Sequence, residues 1–251
     1  MRNQFVKSIR YLAAICLPLA ITGCQMHGED SESGRKKAIY EVGLTYGAQS
    51  GLHWKMANIS SYLDQEAQKL DQIYNFNFLL MKHNVLPPVV ANYGKTYTIE
   101  SDDTVRLSDY EIKMVKPARF VSVAPSWRNY IYLSYPKPEA PPERLLPQDP
   151  DESEIWVEAT RKGWEQGVSQ AASIFQTGLS RLNQDFQGMV LYKQMYLQNM
   201  ISAPYTETTN LGVTGDSSGL RLNDKIIKIT RPSLLNPQTN QWYPIILQKS
   251  S

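Results

Sequence analysis

Between Asp149 and about Met200 apolar residues recur at helical spacing, and no other feature of the sequence restricts the possible folds as strongly. Asp149-Pro150-Asp151-Glu152 is a strong helix start, with Asp as N-cap, Pro at the first position and Glu at the third. Ile155, Trp156, Ala159, Val168, Ala171, Phe175, Leu179, Leu182, Phe186 and Met189 carry the pattern onward. Some fifty helical residues reach roughly 75 Å, longer than a small domain is wide. Gly163, Gly167, Gly178 and Gly188 predict a break or bend within that length.

A second helix is predicted over about 37–74. Leu52, Met56, Ile59, Leu63, Ala67, Leu70 and Tyr74 fall on one stripe, with Asp64, Gln65, Gln68, Lys69 and Asp71 outside it. The period then changes towards two. Tyr97/Ile99, Val105/Leu107 and Tyr110/Ile112/Met114 alternate with polar partners, and Ser101-Asp102-Asp103 and Ser108-Asp109 supply turns. Prolines 136, 138, 141, 142, 147 and 150 mark an extended spacer. The fold class is α+β: helices at about 37–74 and 150–200 packed with a small, mostly antiparallel sheet of hairpins at about 96–133 and 208–230. The segment from Val105 to Met114 also aligns without gaps on Leu220 to Ile229, identical at five of ten positions. Convergent hairpin chemistry explains the match; so do two similar hairpins flanking the long helix and sharing one sheet.

Hydrophobic residues make up 42% of the 251, enough for a core, so wholesale disorder is excluded. The formal charge is +2, and Arg2, Lys7 and Arg10 sit in the first 23 positions without an acid. Without them the balance is −1, 23 basic against 24 acidic residues, so no global charge argues for direct nucleic-acid binding. These three cations precede an apolar run from Tyr11 to Ile21. Eleven residues span about 16 Å as a helix, half of a hydrocarbon core, which reads as a signal-peptide segment and not as a membrane span. The run closes on Leu19-Ala20-Ile21-Thr22-Gly23-Cys24, which resembles a bacterial lipobox. That resemblance implies cleavage between Gly23 and Cys24, with a diacylglycerol and an N-acyl chain on Cys24. Gln25 in place of Asp implies export to the outer membrane. An ordinary signal peptide with a coincidental cysteine is the other reading. The expected organisation is a cleaved peptide at 1–23, a flexible tether at 24–36, and one periplasmic domain at 37–251. Cys16 leaves with the peptide and Cys24 is capped, which excludes cysteine catalysis.

Catalytic and metal-binding patterns are weak. Gly215-Asp216-Ser217-Ser218-Gly219 resembles a serine-protease nucleophile loop only superficially, because Ser218 stands where a glycine is needed for the oxyanion hole. His27 with Glu29 and Asp30 reads as a solvated tether cluster, and His53 and His83, 30 apart, have no second ligand at helical spacing, so no metal site is expected. No phosphate-binding glycine loop is present. The expectation is a protein that is not an enzyme and carries no cofactor beyond the covalent lipid. Its aromatics, among them Trp54, Trp127, Tyr130, Trp156, Trp164 and Tyr205, suit an interaction scaffold if they are not all core.

Several segments in order carry a resemblance along about residues 38–243. They are Gly47-Ala48-Gln49-Ser50-Gly51-Leu52, Phe76-Asn77-Phe78-Leu79-Leu80 and His83-Asn84-Val85-Leu86-Pro87-Pro88-Val89. Ala118-Arg119-Phe120-Val121, Trp127-Arg128-x-Tyr130 and Ser202-Ala203-Pro204-Tyr205 follow. Leu211-Gly212-Val213-Thr214-Gly215-Asp216 and Arg221-Leu222-Asn223-Asp224 complete the set. The chain resembles the DotC family of outer-membrane lipoproteins of type IVB (Dot/Icm-type) secretion systems, which includes the TraI-type lipoproteins of IncI conjugative plasmids. The resemblance implies a structural role. With a DotD-like lipoprotein and a DotH-like outer-membrane subunit, such proteins build a ring-shaped outer-membrane core complex and help place the DotH-like subunit.

Candidate partner-contact residues are Asn84, Val85, Leu86, Pro87, Pro88, Trp127, Arg128, Ser202, Pro204, Tyr205, Gly212 and Gly215, in the extended 84–90 stretch, the aromatic run and the 202–216 loop. The Pro-rich 136–148 segment is a further candidate. A peptidoglycan-binding or peptidoglycan-cleaving lipoprotein is the alternative from another class, and a stand-alone pilotin a third.

Overall fold

The computed structural model describes residues 28–244. The predicted cap at the long helix is formed: the Asp149 carboxylate accepts from the Glu152 backbone N–H at 2.8 Å, with Pro150 in the first turn. The helix it starts, the last of four α-helices among the described residues, runs unbroken over Pro150–Leu197, 48 residues. The first helix, α1, spans Gly28–Gln65 and is followed after Glu66 by the short α2, Ala67–Ile73. A single-turn α3 covers Arg128–Ile131, and α4 is the long helix.

Of the glycines expected to bend α4, Gly163 and Gly167 let it approach α1, while Gly178 lies against Tyr130 and Ile131 and Gly188 against Val89 and Val90. Gly43, Gly47 and Gly51 on α1 and Ala159, Gly163, Gly167 and Ala171 on α4 are all buried, each set at a spacing of four. A Cβ on Gly47 or Gly51 would fall on the backbone carbonyls of Thr160 or Trp164, and one on Gly163 or Gly167 on those of Leu44 or Ala48. Residue numbers rise together in the two helices, which therefore run parallel with backbones nearly touching. Small residues at this spacing permit such contact, and close Cα–H···O approaches accompany it.

The N-terminal tether was expected to extend to residue 36, but residues 28–36 continue α1. Lys36 pairs with Glu32 one turn earlier at 2.8 Å. Arg35 reaches across to Glu152, 3% exposed in the first turn of α4, through a two-pronged contact at 2.6 and 3.1 Å. The same guanidinium donates to the carbonyl oxygens of Arg144 and Leu146.

A parallel helix pair needs a return path, and the proline-rich segment supplies one. It runs back along α1: Ser60 donates to the Leu133 carbonyl at 3.4 Å, His53 Nδ1 meets that of Tyr135 at 2.7 Å, and Pro141, Pro142 and Leu145 lie beside Val42 and Tyr46. An extended proline-rich chain gains about 3.1 Å per residue, so seventeen residues cover the length of α1 they must retrace. The segment is a packed strap, and lack of N–H groups is no loss where it has no strand to pair with.

The strands form four two-stranded antiparallel sheets among the described residues. Strands β1 (Val85–Leu86) and β2 (Val89–Asn92) pair with β6 (Arg119–Phe120) and β5 (Ile112–Lys116) respectively. Strands β3 (Thr96–Ser101) and β4 (Thr104–Ser108) form one hairpin, and β7 (Tyr205–Gly215) and β8 (Leu220–Arg231) a longer one. The two segments that resemble one another do not share a sheet. Val105 to Met114 passes from β4 through a turn into β5, whereas Leu220 to Ile229 is one continuous strand, kinked where Asn223 adopts a left-handed φ of 56°. A residue that tolerates φ above zero turns the expected corner into a bulge.

The main core lies where the second half of α4 meets the middle of the chain. Phe76, Leu86, Val89, Trp127, Ile131, Leu182 and Met189 are buried there, with Ile59, Leu70, Tyr74 and Phe186 packed around them. Phe76 stacks on Tyr130 at 5.9 Å and meets Phe186 edge-on at 5.2 Å, the two geometries favoured by the ring quadrupoles. A smaller cluster of Val90, Tyr192, Met195 and Ile201 roots the β7–β8 hairpin at the C-terminal end of α4.

Candidate interaction surface

The hairpins β3–β4 and β7–β8 present apolar residues that nothing among the described residues covers. On β3–β4, Tyr97 lies opposite Leu107 and Ile99 opposite Val105, so all four share one face, while Thr98 and Arg106 take the other. On β7–β8, Val213 faces Leu222, with Leu220 two residues further on. Tyr97, Leu107, Val213 and Leu222 are 66%, 74%, 62% and 73% exposed. An isolated two-stranded hairpin is marginal in water, and the usual remedy is a third strand or a packed partner over the apolar face.

Their turns are built to hold shape. Asp216 accepts from the Ser218 N–H (2.8 Å), the Ser218 hydroxyl (2.6 Å) and the Gly219 N–H (3.0 Å), which fixes the β7–β8 turn. The Ser218 hydroxyl comes first among the contacts that hold the Asp216 carboxyl below its ordinary range. Asp103 is lowered in the same way by the Ser101 and Thr104 hydroxyls at the β3–β4 turn. The Gly215–Gly219 motif is thus accounted for as hairpin chemistry.

The sequence-selected contact residues divide into two sets. Val85, Leu86, Pro87, Pro88 and Pro204 are buried, and Trp127 is 0% exposed, so these six face the chain's own interior. The Trp127 indole N–H donates to Asp71 at 2.7 Å, and Arg128 stacks over the indole at 4.2 Å while donating to the same carboxylate at 2.8 Å. Those bonds, with that of Arg128 foremost, hold Asp71 below the usual carboxylate range. Asn84, Arg128, Ser202, Tyr205, Gly212 and Gly215 remain exposed. Leu86 and Trp127 share the main core; Ser202 joins the hairpin root, where its hydroxyl accepts from the Leu234 N–H; Gly212 and Gly215 lie towards the hairpin tip. Gly23 and Cys24 lie outside the described residues.

Two buried carboxylates have structural partners. Glu152 is held below its ordinary range by Arg35 first and the Gln148 N–H second. Asp185, 5% exposed on α4, takes both Lys116 Nζ contacts (2.6 and 2.8 Å) and the Tyr130 hydroxyl (2.9 Å). Burial and this bond push the Tyr130 hydroxyl well above the ordinary phenol range, so it stays protonated as a donor. Among the described residues no group of three or more His, Cys, Asp or Glu is placed to hold a metal, and no helix is long and apolar enough to cross a membrane.

The described residues form an α+β body with a closely packed parallel helix pair and two hairpins whose apolar faces are exposed. The sequence profile of a family described as "Type IV secretory system, conjugal DNA-protein transfer" matches residues 33–244. The chain belongs to this TraI-type family of type IV secretory systems, and is a component of a secretion or conjugation apparatus. Comparison with curated protein sequences yields no match.

Proposed function

We propose that the chain is a lipid-anchored outer-membrane subunit of a type IVB (Dot/Icm-type) channel, forming part of its outer-membrane core and helping to assemble it. Its partners in this reading are a DotD-like lipoprotein and a DotH-like outer-membrane subunit. The observation that carries the reading is the pair of uncovered apolar hairpin faces on a member of a secretion-system family. Acylation at Cys24 concentrates the protein at the periplasmic face of the outer membrane and turns weak hairpin contacts into avid ones. A head-to-tail contact that closes on itself gives a ring. The role needs no catalytic step, no cofactor beyond the covalent lipid, and no direct contact with nucleic acid.

The test is gentle detergent extraction of the tagged full-length protein from cells carrying the transfer system, followed by size and composition analysis. Recovery in a very large assembly with a second lipoprotein and a larger periplasmic subunit supports the reading. Recovery of a lone lipoprotein that sediments with purified sacculi overturns it in favour of a peptidoglycan-directed role.

A further inference from the structure

An open cleft of about 710 Å³ lies between the segment after β5 and the outer side of α4. Lys116, Arg119, Tyr130, Arg181 and Asp185 give it a polar wall, and Val121 and Val123 to Ser126 complete the lining with Asn129. Its acceptors are occupied from within. Both Asp185 oxygens are engaged by Lys116 and Tyr130, and Asn129 Oδ1 accepts from the Ser126 N–H (2.8 Å) and hydroxyl (3.2 Å).

Its donors are not. Neither the Arg119 nor the Arg181 guanidinium has an ion pair or hydrogen bond among the described residues, and with Asn129 Oδ1 fixed on Ser126 the amide NH₂ of that side chain is also free. Both guanidiniums act on the Tyr130 hydroxyl at the floor, drawing its proton affinity down against the effect of burial. Three cations stand against one carboxylate, and that carboxylate is committed to Lys116. Such a cleft selects an anionic, acceptor-rich occupant, for which paired guanidiniums are the preferred receptor.

The rest of the lining says what carries the anion. Of the lining residues there, Val123 and Ala124 have backbone amides that make no hydrogen bonds among the described residues, and the Val123 side chain is 78% exposed. Free amides beside an apolar side chain match an extended polypeptide, whose main chain and alternate side chains satisfy both. A phospholipid headgroup would meet the guanidiniums and leave the amides and Val123 facing water. We propose that this cleft binds an acidic, extended peptide segment of a partner protein, its carboxylate on Arg119 and Arg181 and a neighbouring apolar side chain against Val121 and Val123. The site is separate from the hairpin faces, and the proposal holds whichever assembly the chain joins.

The test uses the detergent-solubilised full-length protein and a fluorescent heptapeptide alternating valine and glutamate, with a valine–glutamine twin as control. The acidic peptide is expected to bind at least about tenfold more tightly than its twin and to weaken as salt is raised. Arg119→Gln and Arg181→Gln are each expected to weaken binding by about tenfold, with an unchanged melting temperature because neither side chain has an internal partner. Equal binding of the two peptides, binding indifferent to both substitutions, or no binding of the acidic peptide overturns the proposal. Arginine-dependent capture of phosphatidylglycerol vesicles without capture of the peptide overturns it in favour of a phosphate site.

Discussion

Gly163 on α4 lies directly against the backbone carbonyl of Leu44 on α1, with no room between them for a methyl group. Neither neighbour is the end of a flexible side chain, so a Cβ there is relieved only by separating the helices. In an ordinary helix, Gly→Ala stabilises by about 0.5–1 kcal/mol. At Gly163 and Gly167 the sign is expected to invert, with a net loss of about 1–3 kcal/mol from overpacking. Gly34→Ala, where a Cβ meets nothing within 4 Å, is the control and should gain slightly. Urea unfolding midpoints of the three variants check the inversion.

The buried contact between Arg35 and Glu152 sets a pH dependence. The folded-state carboxyl of Glu152 is depressed below its ordinary 4.5, chiefly by the Arg35 hydrogen bond. A depressed acid stabilises fully above its unfolded value and loses that contribution as pH falls through the folded value. Stability from this pair is therefore constant at neutral pH and declines only below about pH 4.5. Glu152→Gln should flatten the acid limb of a melting-temperature profile relative to the parent, and Arg35→Met should do the same; a profile unchanged in both rejects the assignment.

How much of this was legible in the sequence depended on whether a signal was local. The cap at Asp149, the 48-residue length of α4 and the turn chemistry of Asp216 are written in neighbouring residues, and the α+β class follows from periodicity. The glycines at 163 and 167 carry the opposite meaning from the expected bend because their role is set by Gly47 and Gly51, more than a hundred residues away. Spacing by four in both segments was the available signal. Pro87-Pro88 reads as extended from sequence, yet extended chain is equally at home in a core, and burial separated the two. Residues 28–36 are polar enough for a tether, but Arg35 finds its partner only once Glu152 is brought alongside. Arg119 and Arg181, 62 positions apart, share a cleft that no local pattern announces.

Asp185 is the second buried carboxylate to test. Asp185→Ala leaves the Tyr130 hydroxyl without its acceptor and Lys116 without its counter-charge. The expected loss is about 2–3 kcal/mol, within the range for an orphaned buried polar partner. Tyr130→Phe alone should cost less, about 1 kcal/mol, because Lys116 still satisfies the carboxylate. Denaturant titrations of both single variants and the double variant measure the coupling.

The hairpin faces separate stability from assembly. Val213 and Leu222 lie opposite each other across β7–β8 and are largely exposed among the described residues, so Leu222→Ser is expected to change monomer stability by no more than about 0.5 kcal/mol. If the face is covered in the assembled apparatus, the same substitution should deplete the protein from the large detergent-extracted complex and reduce transfer. A variant that assembles and transfers normally removes this face from the contact surface.

The position of the first helix gives the proposed lipid anchor at Cys24 a geometric consequence. Helix α1 begins at Gly28, four residues after Cys24, and four residues span at most about 14 Å. If Cys24 is acylated as proposed, the N-terminal ends of both α1 and its parallel partner α4 are expected to lie near the membrane, and the C-terminal end of α4, 48 residues on, to lie far from it. Cys24→Ser is expected to release the protein from the outer membrane and to abolish transfer while leaving the melting temperature of the folded body unchanged. Inserting a long Gly/Ser linker after Cys24 should leave membrane recovery intact, yet lower complex recovery, because effective concentration falls as the tether outgrows the span it must bridge. Transfer that tolerates the linker but not Cys24→Ser would show that the anchor delivers the protein without fixing its height.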